Sequence, residues 1–210
     1  MSRVISIADD GADSARRALE GTIGEGGVVL FPADGIYGLA CDPLNAAAIE
    51  QIHGLKGRPD GKPSAVMYFA PLAMRELIGE LGPRAREIAS RLLPGPVTLV
   101  IANPARRYPL ACGDDPERLG VRLIEGPLAG ARTPVFQTSA NRSGAPAPAA
   151  FTEVDPALAA GVTLAIDGGP LTGSPSTVVD LAEVDSGGDW AVLREGAIPA
   201  PELERMLAGL

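Results

Sequence analysis

Short apolar runs recur along the chain, and the segments between them carry apolar residues at helical spacing. Runs such as VVLFP (28–32) and SAVMYF (64–69) have the length and the β-branched or aromatic content of buried strands. The segment PADGIYGLACDP places a glycine-bearing turn between two extended pieces. The predicted strands are 4–7, 28–32, 64–69, 97–101, 120–124, 134–139, 163–167, 176–181 and 190–194.

Helix start signals precede the amphipathic segments. Asp13 or Ser14 is placed to cap the first helix, and Asn45 is placed to cap the second. The predicted helices run from 13 or 14 to about 22, from 45 to about 55, and over 71–79, 83–93, 127–132 and 201–210. Because strands and helices alternate, we expect residues 1–210 to form a single α/β domain, a twisted mixed sheet flanked by helices.

Composition narrows the class of protein. The chain has 210 residues, of which 46% are hydrophobic, enough for a substantial core. Its net charge is -8, which argues against a broadly basic surface for nucleic acid but permits a local cationic site. No apolar run reaches the roughly 20 residues of a membrane span, and the N-terminus lacks the apolar centre of a signal peptide. We therefore expect a cytoplasmic protein with no membrane association.

Few residues are available for metal or nucleophilic chemistry. Cys41 and Cys112 are the only cysteines, and His53 is the only histidine. Two thiols cannot build a disulfide framework or a cysteine-rich zinc site, and one histidine excludes an HExxH motif. A Ser-His-Asp triad would need His53, which has no nucleophile-elbow motif nearby. No metal site made of protein ligands is predicted.

Cations cluster in the loop IHGLKGRPDGKP (52–63), in an otherwise acidic chain. Lys56, Arg58 and Lys62 lie within seven positions. Cations after a helix favour its C-terminus, which is one interpretation. The other is a polyphosphate site, where fixed cations and backbone N–H groups meet one anion. The loop is not a P-loop, because Pro63 stands where Ser or Thr is required.

Polar residues also mark the ends of two predicted strands. Ser139 and Asn141 are separated by one residue in TSANRSG (138–144), where ligands often bind in α/β folds, although such a run also suits a plain turn. Ser176 opens STVVDL, and Arg194 ends another strand.

The order of these segments resembles the YrdC/TsaC family of threonylcarbamoyl-AMP synthases. The resemblance covers about residues 25–198, and the family's KxR and SxN motifs stand here as Lys56-Gly57-Arg58 and Ser139-Ala140-Asn141. The matching segments, in order, are PADGIYGLACDP, LKGRP, LPGPVTLV, VRL, TSANRSG, STVVDL and LREGAI.

The resemblance implies a nucleotidyltransferase. Members join L-threonine, bicarbonate and ATP into threonylcarbamoyl-AMP and release pyrophosphate, with Mg²⁺ and fixed cations reducing charge repulsion. Separate proteins then transfer the threonylcarbamoyl group to an adenosine in tRNA. The partners expected are therefore L-threonine, bicarbonate and those transfer proteins, while direct binding of tRNA stays open.

The resemblance also assigns candidate residues. The catalytic and ATP-contacting residues would be Lys56, Arg58, Ser139 and Asn141, with Lys62 and Arg194 also facing ATP. Arg122 would bind the amino-acid carboxylate and Ser176 would lie near the amino acid. Gly35, Tyr37 and Met67 would help form the amino-acid pocket, although a buried core position is the alternative for Tyr37.

Three positions depart from the family pattern. Many members read PTDTVYG or PTEAVFG where this chain reads PADGIYG, so Ala33 and Gly35 remove one or two hydroxyls. Many members carry histidine where Met67 stands. These departures concern recognition of the threonine hydroxyl rather than the nucleotide.

Two alternative functions remain open. The first is a relative that uses another amino acid or carbamoyl donor. The second is an RNA-binding module, which the acidic composition and 4% aromatic content disfavour.

Overall fold

Strands from both halves of the chain pair in one mixed sheet. The computed structural model describes residues 3–57 and 61–210. Within those residues, the sheet has ten strands. The strands are β1 (Arg3–Ser6), β2 (Val29–Pro32), β3 (Tyr37–Cys41), β4 (Ala65–Tyr68), β5 (Val97–Ala102), β6 (Arg118–Leu123), β7 (Val135–Ser139), β8 (Leu164–Asp167), β9 (Thr177–Asp180) and β10 (Ala191–Arg194).

The strand order is β1-β8-β2-β3-β7-β4-β6-β5-β9-β10. β8 runs parallel to β1 and β2, β4 runs parallel to β6, and β5 runs parallel to β9. The remaining neighbours are antiparallel. This order brings β6, β5, β9 and β10 together at one end of the sheet, although 88 residues separate β5 from β10 in sequence.

Helices lie on both faces of the sheet. In the described residues they are α1 (Ile7–Asp10), α2 (Ala12–Gly24), α3 (Ala46–Lys56), α4 (Pro71–Glu80), α5 (Pro83–Leu92), α6 (Pro156–Ala160) and α7 (Ala200–Met206), with 3₁₀ turns at Pro109–Ala111, Phe151–Glu153 and Val184–Ser186. The Asn45 side chain caps α3 by accepting from the Ala48 amide, as predicted, and Gly57 ends that helix in the left-handed conformation.

The two faces of the sheet have different surroundings. Because side chains alternate along a strand, Leu119 and Val121 of β6 point into the core formed with α3, α4, α5 and α7. On the opposite face, Phe31 and Val135 pack in a second core with Leu19 of α2. The second core ends at β4. Beyond it, the same face of β6, β5 and β9 borders a cavity instead of a helix.

The sequence predicted nearly all of these elements, with one error. Residues 127–132 form a turn rather than the predicted helix. Gly126 and Gly130 have φ of 97° and 95°, a conformation that a right-handed helix does not contain. The structure also contains α1 and α6, which the sequence pattern did not predict because each spans only four or five residues.

Across the described part of the chain, no helix combines the length and the apolar character that crossing a bilayer requires.

Candidate active site

A cavity of about 710 Å³ lies on the open face of the sheet. Alternate residues of three strands point into it: Arg118, Gly120 and Arg122 from β6, with Thr98 from β5 and Val178 from β9. On β6 the intervening residues Leu119, Val121 and Leu123 are apolar and belong to the core. The alternation along β6 therefore places its polar positions and Gly120 at the cavity floor.

Seven of the predicted site residues line this cavity, although they are spread over more than 130 positions in sequence. They are Lys56, Lys62, Arg122, Ser139, Asn141, Ser176 and Arg194. The predicted ATP residue Arg58 lies outside the described residues.

Lys56 lies at the last position of α3 and is almost fully buried, with 4% of its surface exposed. Its ammonium donates to the carbonyl oxygens of Ser139 and Asn141, the latter at 2.7 Å. A longer contact of 3.4 Å reaches the Asn141 side-chain oxygen. The lysine therefore connects the C-terminus of α3 to the segment that follows β7.

Ser139 and Asn141 form a turn that is closed by its own side chains. The Ser139 hydroxyl donates to the Asn141 side-chain oxygen. The Asn141 side-chain nitrogen donates to the carbonyl oxygens of Arg142 and Ala145. The predicted pair is thus brought together at the edge of the cavity, with the hydroxyl and the amide fixed relative to each other.

Arg122 is buried beside Asp34, with 4% of its side chain exposed. Its Nη2 lies 3.1 Å from Asp34 Oδ2, and Nη1 donates to the Ala33 carbonyl at 3.5 Å. Nε has no hydrogen-bond partner among the described residues. Burial lowers the pKa of Arg122 to about 10, with Asp34 opposing and Arg194 adding to the decrease. The guanidinium remains charged at neutral pH, and Arg122 contributes to the lining of the cavity.

The pKa of Asp34 is raised above its ordinary value. Burial is the main cause, Arg122 opposes the increase, and Glu125 adds to it. Asp34 has a φ of 77°, which is uncommon for a residue other than glycine.

Ser176, Thr98 and Arg194 form a second polar group at the cavity. The hydroxyls of Thr98 and Ser176 are 2.8 Å apart. Arg194 Nη2 donates to the Ser176 carbonyl at 2.7 Å and lies 3.4 Å from its hydroxyl. Burial lowers the pKa of Arg194. These contacts hold a hydroxyl and a guanidinium together across β5, β9 and β10.

Gly35, Tyr37 and Met67, the three other predicted pocket residues, do not line the cavity. Tyr37 is fully buried and lies on the opposite face of β3, where its hydroxyl donates to the Gly169 carbonyl at 2.8 Å. Tyr37 therefore occupies a buried core position in this structure. Met67 pairs with Arg122 across β4 and β6 but is fully buried in the second core.

Gly35 contributes to the site through close packing. A Cβ atom at this position would overlap the Ser174 carbonyl oxygen and lie 2.8 Å from Thr172 Oγ1. The Gly35 carbonyl accepts from the Gly173 amide at 2.9 Å. The turn at Gly35 thus supports the segment that leads to Ser176.

Sequence reasoning missed Thr98, Arg118 and Gly120 as cavity residues. The alternation in RLGVRL is the pattern that could have identified Arg118 and Gly120, since apolar residues occupy every second position there, whereas five of the six residues of VTLVIA are apolar. Arg118 also forms an ion pair with Asp180 of β9.

The donor set does not resemble a protein metal site. Among the described residues, no group of three or more His, Cys, Asp or Glu side chains is placed to hold a metal ion. Asp115 is the single carboxylate among the described residues lining the cavity. A Mg²⁺ ion at this cavity would therefore take most of its ligands from phosphate oxygens and water rather than from the protein.

The fold and the cavity define an α/β protein with a cleft rich in cations and hydroxyls, suited to a polyanionic ligand and a carboxylate. The family model of the Sua5/YciO/YrdC proteins, described as "Telomere recombination", matches residues 21–196. The chain belongs to this family.

Two curated relatives are named threonylcarbamoyl-AMP synthase. The Pyrococcus abyssi protein is 30% identical over 216 residues, which cover 99% of this chain and 61% of the relative. The Thiobacillus denitrificans protein is 33% identical over 176 residues, which cover 81% of this chain and 93% of the relative. The chain thus spans about three fifths of the first relative and nearly all of the second.

Solved structures share the fold. P. abyssi Sua5 complexed with L-threonine has a TM-score of 0.83 and 27% identity, covering 99% of this chain and 61% of the other. Escherichia coli YciO has a TM-score of 0.77 and 25% identity, covering 94% and 97%. The predictions of a YrdC-like family and of an α/β fold with a mixed sheet flanked by helices are confirmed.

Proposed function

We propose that the protein synthesises threonylcarbamoyl-AMP from L-threonine, bicarbonate and ATP and releases pyrophosphate. The observation that carries the proposal is the convergence of seven predicted site residues on one cavity, in a chain whose curated relatives are named threonylcarbamoyl-AMP synthase. The proposal treats residues 1–210 as one YrdC-like domain, supported by a sheet that joins strands from residue 3 to residue 194.

The amino acid binds at Arg122 and Ser176 in this proposal. The Arg122 guanidinium is charged and lines the cavity, and a guanidinium can bind a carboxylate through parallel N–H donors. Ser176 offers a hydroxyl that Thr98 holds in place. A solved structure of the P. abyssi relative is complexed with L-threonine, which supports this choice of amino acid.

The nucleotide binds along the rest of the cavity lining, which adjoins the amino-acid side at Arg194 and Ser176. Ser139 and Asn141 orient it, while Lys62, Arg194 and Arg58 face its phosphates. Arg58 enters by resemblance alone, because it lies outside the described residues. Cations in a partly desolvated cleft stabilise charge that develops on a leaving pyrophosphate.

The chemistry requires two bond-forming steps. The threonine amine attacks bicarbonate, giving an N-carboxylate and water. A carboxylate oxygen of that product then bonds to the α-phosphorus of ATP, and the bond from the α-phosphorus to the bridging oxygen breaks as pyrophosphate leaves. The chain's residues bind and orient the reactants, and no covalent enzyme intermediate is needed.

Mg²⁺ enters as part of the substrate MgATP in this proposal, since the cavity offers one carboxylate within the described residues. The unstable product would pass to proteins that transfer the threonylcarbamoyl group to tRNA, in the cytoplasm. These partners and this location follow from the proposed reaction.

The experiment is a panel of amino acids assayed for pyrophosphate release with ATP and bicarbonate. We expect release with L-threonine, and the same amount of AMP-linked product by mass spectrometry. Omission of bicarbonate is the matched control and should abolish turnover. Release with another amino acid but not with threonine would support the alternative of a relative with a different substrate. Binding of RNA without turnover of any amino acid would support the RNA-binding alternative.

A further inference from the structure

Lys56 belongs to the KxR motif, yet its contacts are with the protein. We propose that Lys56 is a positioning residue: its ammonium holds the turn that presents Ser139 and Asn141 to the nucleotide, and it does not bind the phosphates itself. This inference rests on the proposed nucleotide site.

The donors of the Lys56 ammonium already have acceptors. An ammonium has three N–H donors. Two point at the carbonyl oxygens of Ser139 and Asn141, and the third is within 3.4 Å of the Asn141 side-chain oxygen. To reach a phosphate, the ammonium would have to break these bonds and leave two carbonyl groups without their buried donor.

The main chain of Lys56 contacts the same turn. The Ser143 amide donates to the Lys56 carbonyl oxygen at 2.8 Å. That carbonyl is available because Gly57 adopts the left-handed conformation, with φ of 58°, and ends the helix. One residue therefore holds the turn by both its side chain and its backbone.

The two lysines of the chain differ in burial. The sequence contains only Lys56 and Lys62, and both line the cavity. Lys56 is 4% exposed, whereas Lys62 is exposed to solvent at the rim. Lys62 can approach a phosphate with little loss of hydration. In this proposal Lys62 therefore contacts the phosphates directly, whereas Lys56 positions the turn.

The presence of only two lysines permits a direct measurement on the wild-type chain. With ¹⁵N-labelled lysine, NMR should show one ammonium signal that exchanges slowly with water before any nucleotide is added. We expect AMP and ATP to shift this signal equally, because both contact the turn. The Lys62→Gln variant assigns the signals. A Lys56 ammonium that shifts with ATP but not with AMP would overturn the proposal.

A matched pair of variants tests the consequence for binding. Lys56→Met should weaken the binding of AMP and of ATP by the same factor, roughly tenfold to hundredfold, as expected for hydrogen bonds to a charged group. Lys62→Met should weaken the binding of ATP and leave the affinity for AMP unchanged. Isothermal titration calorimetry measures both. If Lys56→Met weakens the binding of ATP but not that of AMP, the lysine is a phosphate ligand and the inference is wrong.

Hydrogen exchange separates this inference from the proposed function. In Lys56→Met without ligand, the amides of residues 141–145 should exchange faster than in the wild type, whereas those of β6 should not. Unchanged exchange in the turn would overturn the positioning role, whatever the activity. A wild type that binds neither nucleotide would refute the proposed function alone. If Lys56→Met does not fold, the NMR measurement of the lysine ammonium groups in the wild type decides whether Lys56 contacts the phosphates.

Discussion

Arg122 Nη2 and Asp34 Oδ2 are 3.1 Å apart at the boundary between the apolar core and the cavity. The two residues are 88 positions apart in sequence. Asp34 reaches the guanidinium from a turn at positive φ, and Arg122 projects from β6. Nη2 contacts the Asp34 carboxylate and Nη1 donates to the Ala33 carbonyl, while Nε is buried without a partner among the described residues. The pair therefore holds the Arg122 guanidinium in place where it lines the cavity.

We expect Arg122→Lys to raise KM for threonine about tenfold or more, with a smaller change in KM for ATP. Lysine keeps the charge but loses the planar fork that binds a carboxylate through two hydrogen bonds. Steady-state kinetics of pyrophosphate release, with each substrate varied, measures the effect. Arg118→Lys is the control, because Arg118 lies on the same strand face but pairs with Asp180. An unchanged KM for threonine in Arg122→Lys would show that this residue does not bind the amino acid.

The raised pKa of Asp34 predicts a pH dependence of stability. In the window just above the ordinary value of 3.8, the folded state holds a proton at Asp34 more often than the unfolded state does. The Asp34 contribution to the free energy of unfolding is therefore fully present below that value and is lost as pH rises through the folded-state pKa.

Asp34→Asn should remove this contribution. We expect the free energy of unfolding of Asp34→Asn minus that of the wild type to increase as pH rises above the ordinary Asp value of 3.8, and then to level once Asp34 is ionised in the folded wild type. Urea denaturation at a series of pH values measures it. The absolute stability of the variant can be lower at every pH, since Arg122 loses its carboxylate. A difference that stays flat across the range would contradict the prediction.

Gly35 and Gly54 provide a matched pair of glycine substitutions. Gly35→Ala should destabilise the fold by about 1–3 kcal/mol, because the new Cβ would overlap the Ser174 carbonyl oxygen. Gly54→Ala should stabilise it by about 0.5–1 kcal/mol, because Gly54 lies in α3 and a Cβ there has no atom within 4 Å. Thermal or urea unfolding distinguishes the two directions. Equal effects would mean that the turn at Gly35 can move away at little cost.

Much of the fold could be predicted because local pattern determines it. The Asn45 cap, the buried run at 28–32 and the proline-led helices at 71 and 83 are all visible in the sequence. The turn at 127–132 was predicted wrongly because its apolar spacing suits a helix, while the two glycines adopt positive φ. The sequence alone does not show whether the apolar spacing or the glycine conformation determines the structure of this segment.

The site was less predictable because its contacts join distant segments. Resemblance identified Lys56, yet only the folded chain shows that its ammonium is directed at the carbonyls after β7. Resemblance also named Tyr37 and Met67, whose side chains point away from the cavity or into the second core. Thr98 was missed because a threonine in a strand is ordinary until its partner across the sheet is known.

Thr98→Val should impair the use of threonine as a substrate without affecting nucleotide binding. Valine has nearly the same shape but cannot bond to the Ser176 hydroxyl, which lies 2.8 Å from Thr98 Oγ1. Loss of one such bond corresponds to about 0.5–1.5 kcal/mol, so we expect kcat/KM for threonine to fall about threefold to tenfold. Binding of AMP should not change, which is the internal control. If kcat/KM is unchanged, Arg194 alone positions the Ser176 hydroxyl.

The last prediction concerns selectivity for the threonine hydroxyl. Ala33 and Met67 are both fully buried in the second core beside Arg122. By the resemblance to the family pattern, these are positions where hydroxyl or imidazole groups are expected. The carboxylate can still bind Arg122, because that contact does not depend on the substrate side chain. Loss of one neutral hydrogen bond corresponds to about 0.5–1.5 kcal/mol, or about threefold to tenfold in catalytic efficiency.

We therefore expect threonine to be preferred, with serine closer behind it than in relatives that retain those polar groups. The measurement is kcat/KM for threonine, serine and valine at saturating ATP and bicarbonate. Met67→His is the informative variant, because an imidazole beside Arg122 would restore a hydrogen-bond partner and should widen the gap between threonine and valine. Equal efficiency for valine and threonine in the wild type would mean that the hydroxyl is not recognised. Failure of all three amino acids would instead remove threonine as the substrate, since Arg122 and Ser176 would then serve a different carboxylate.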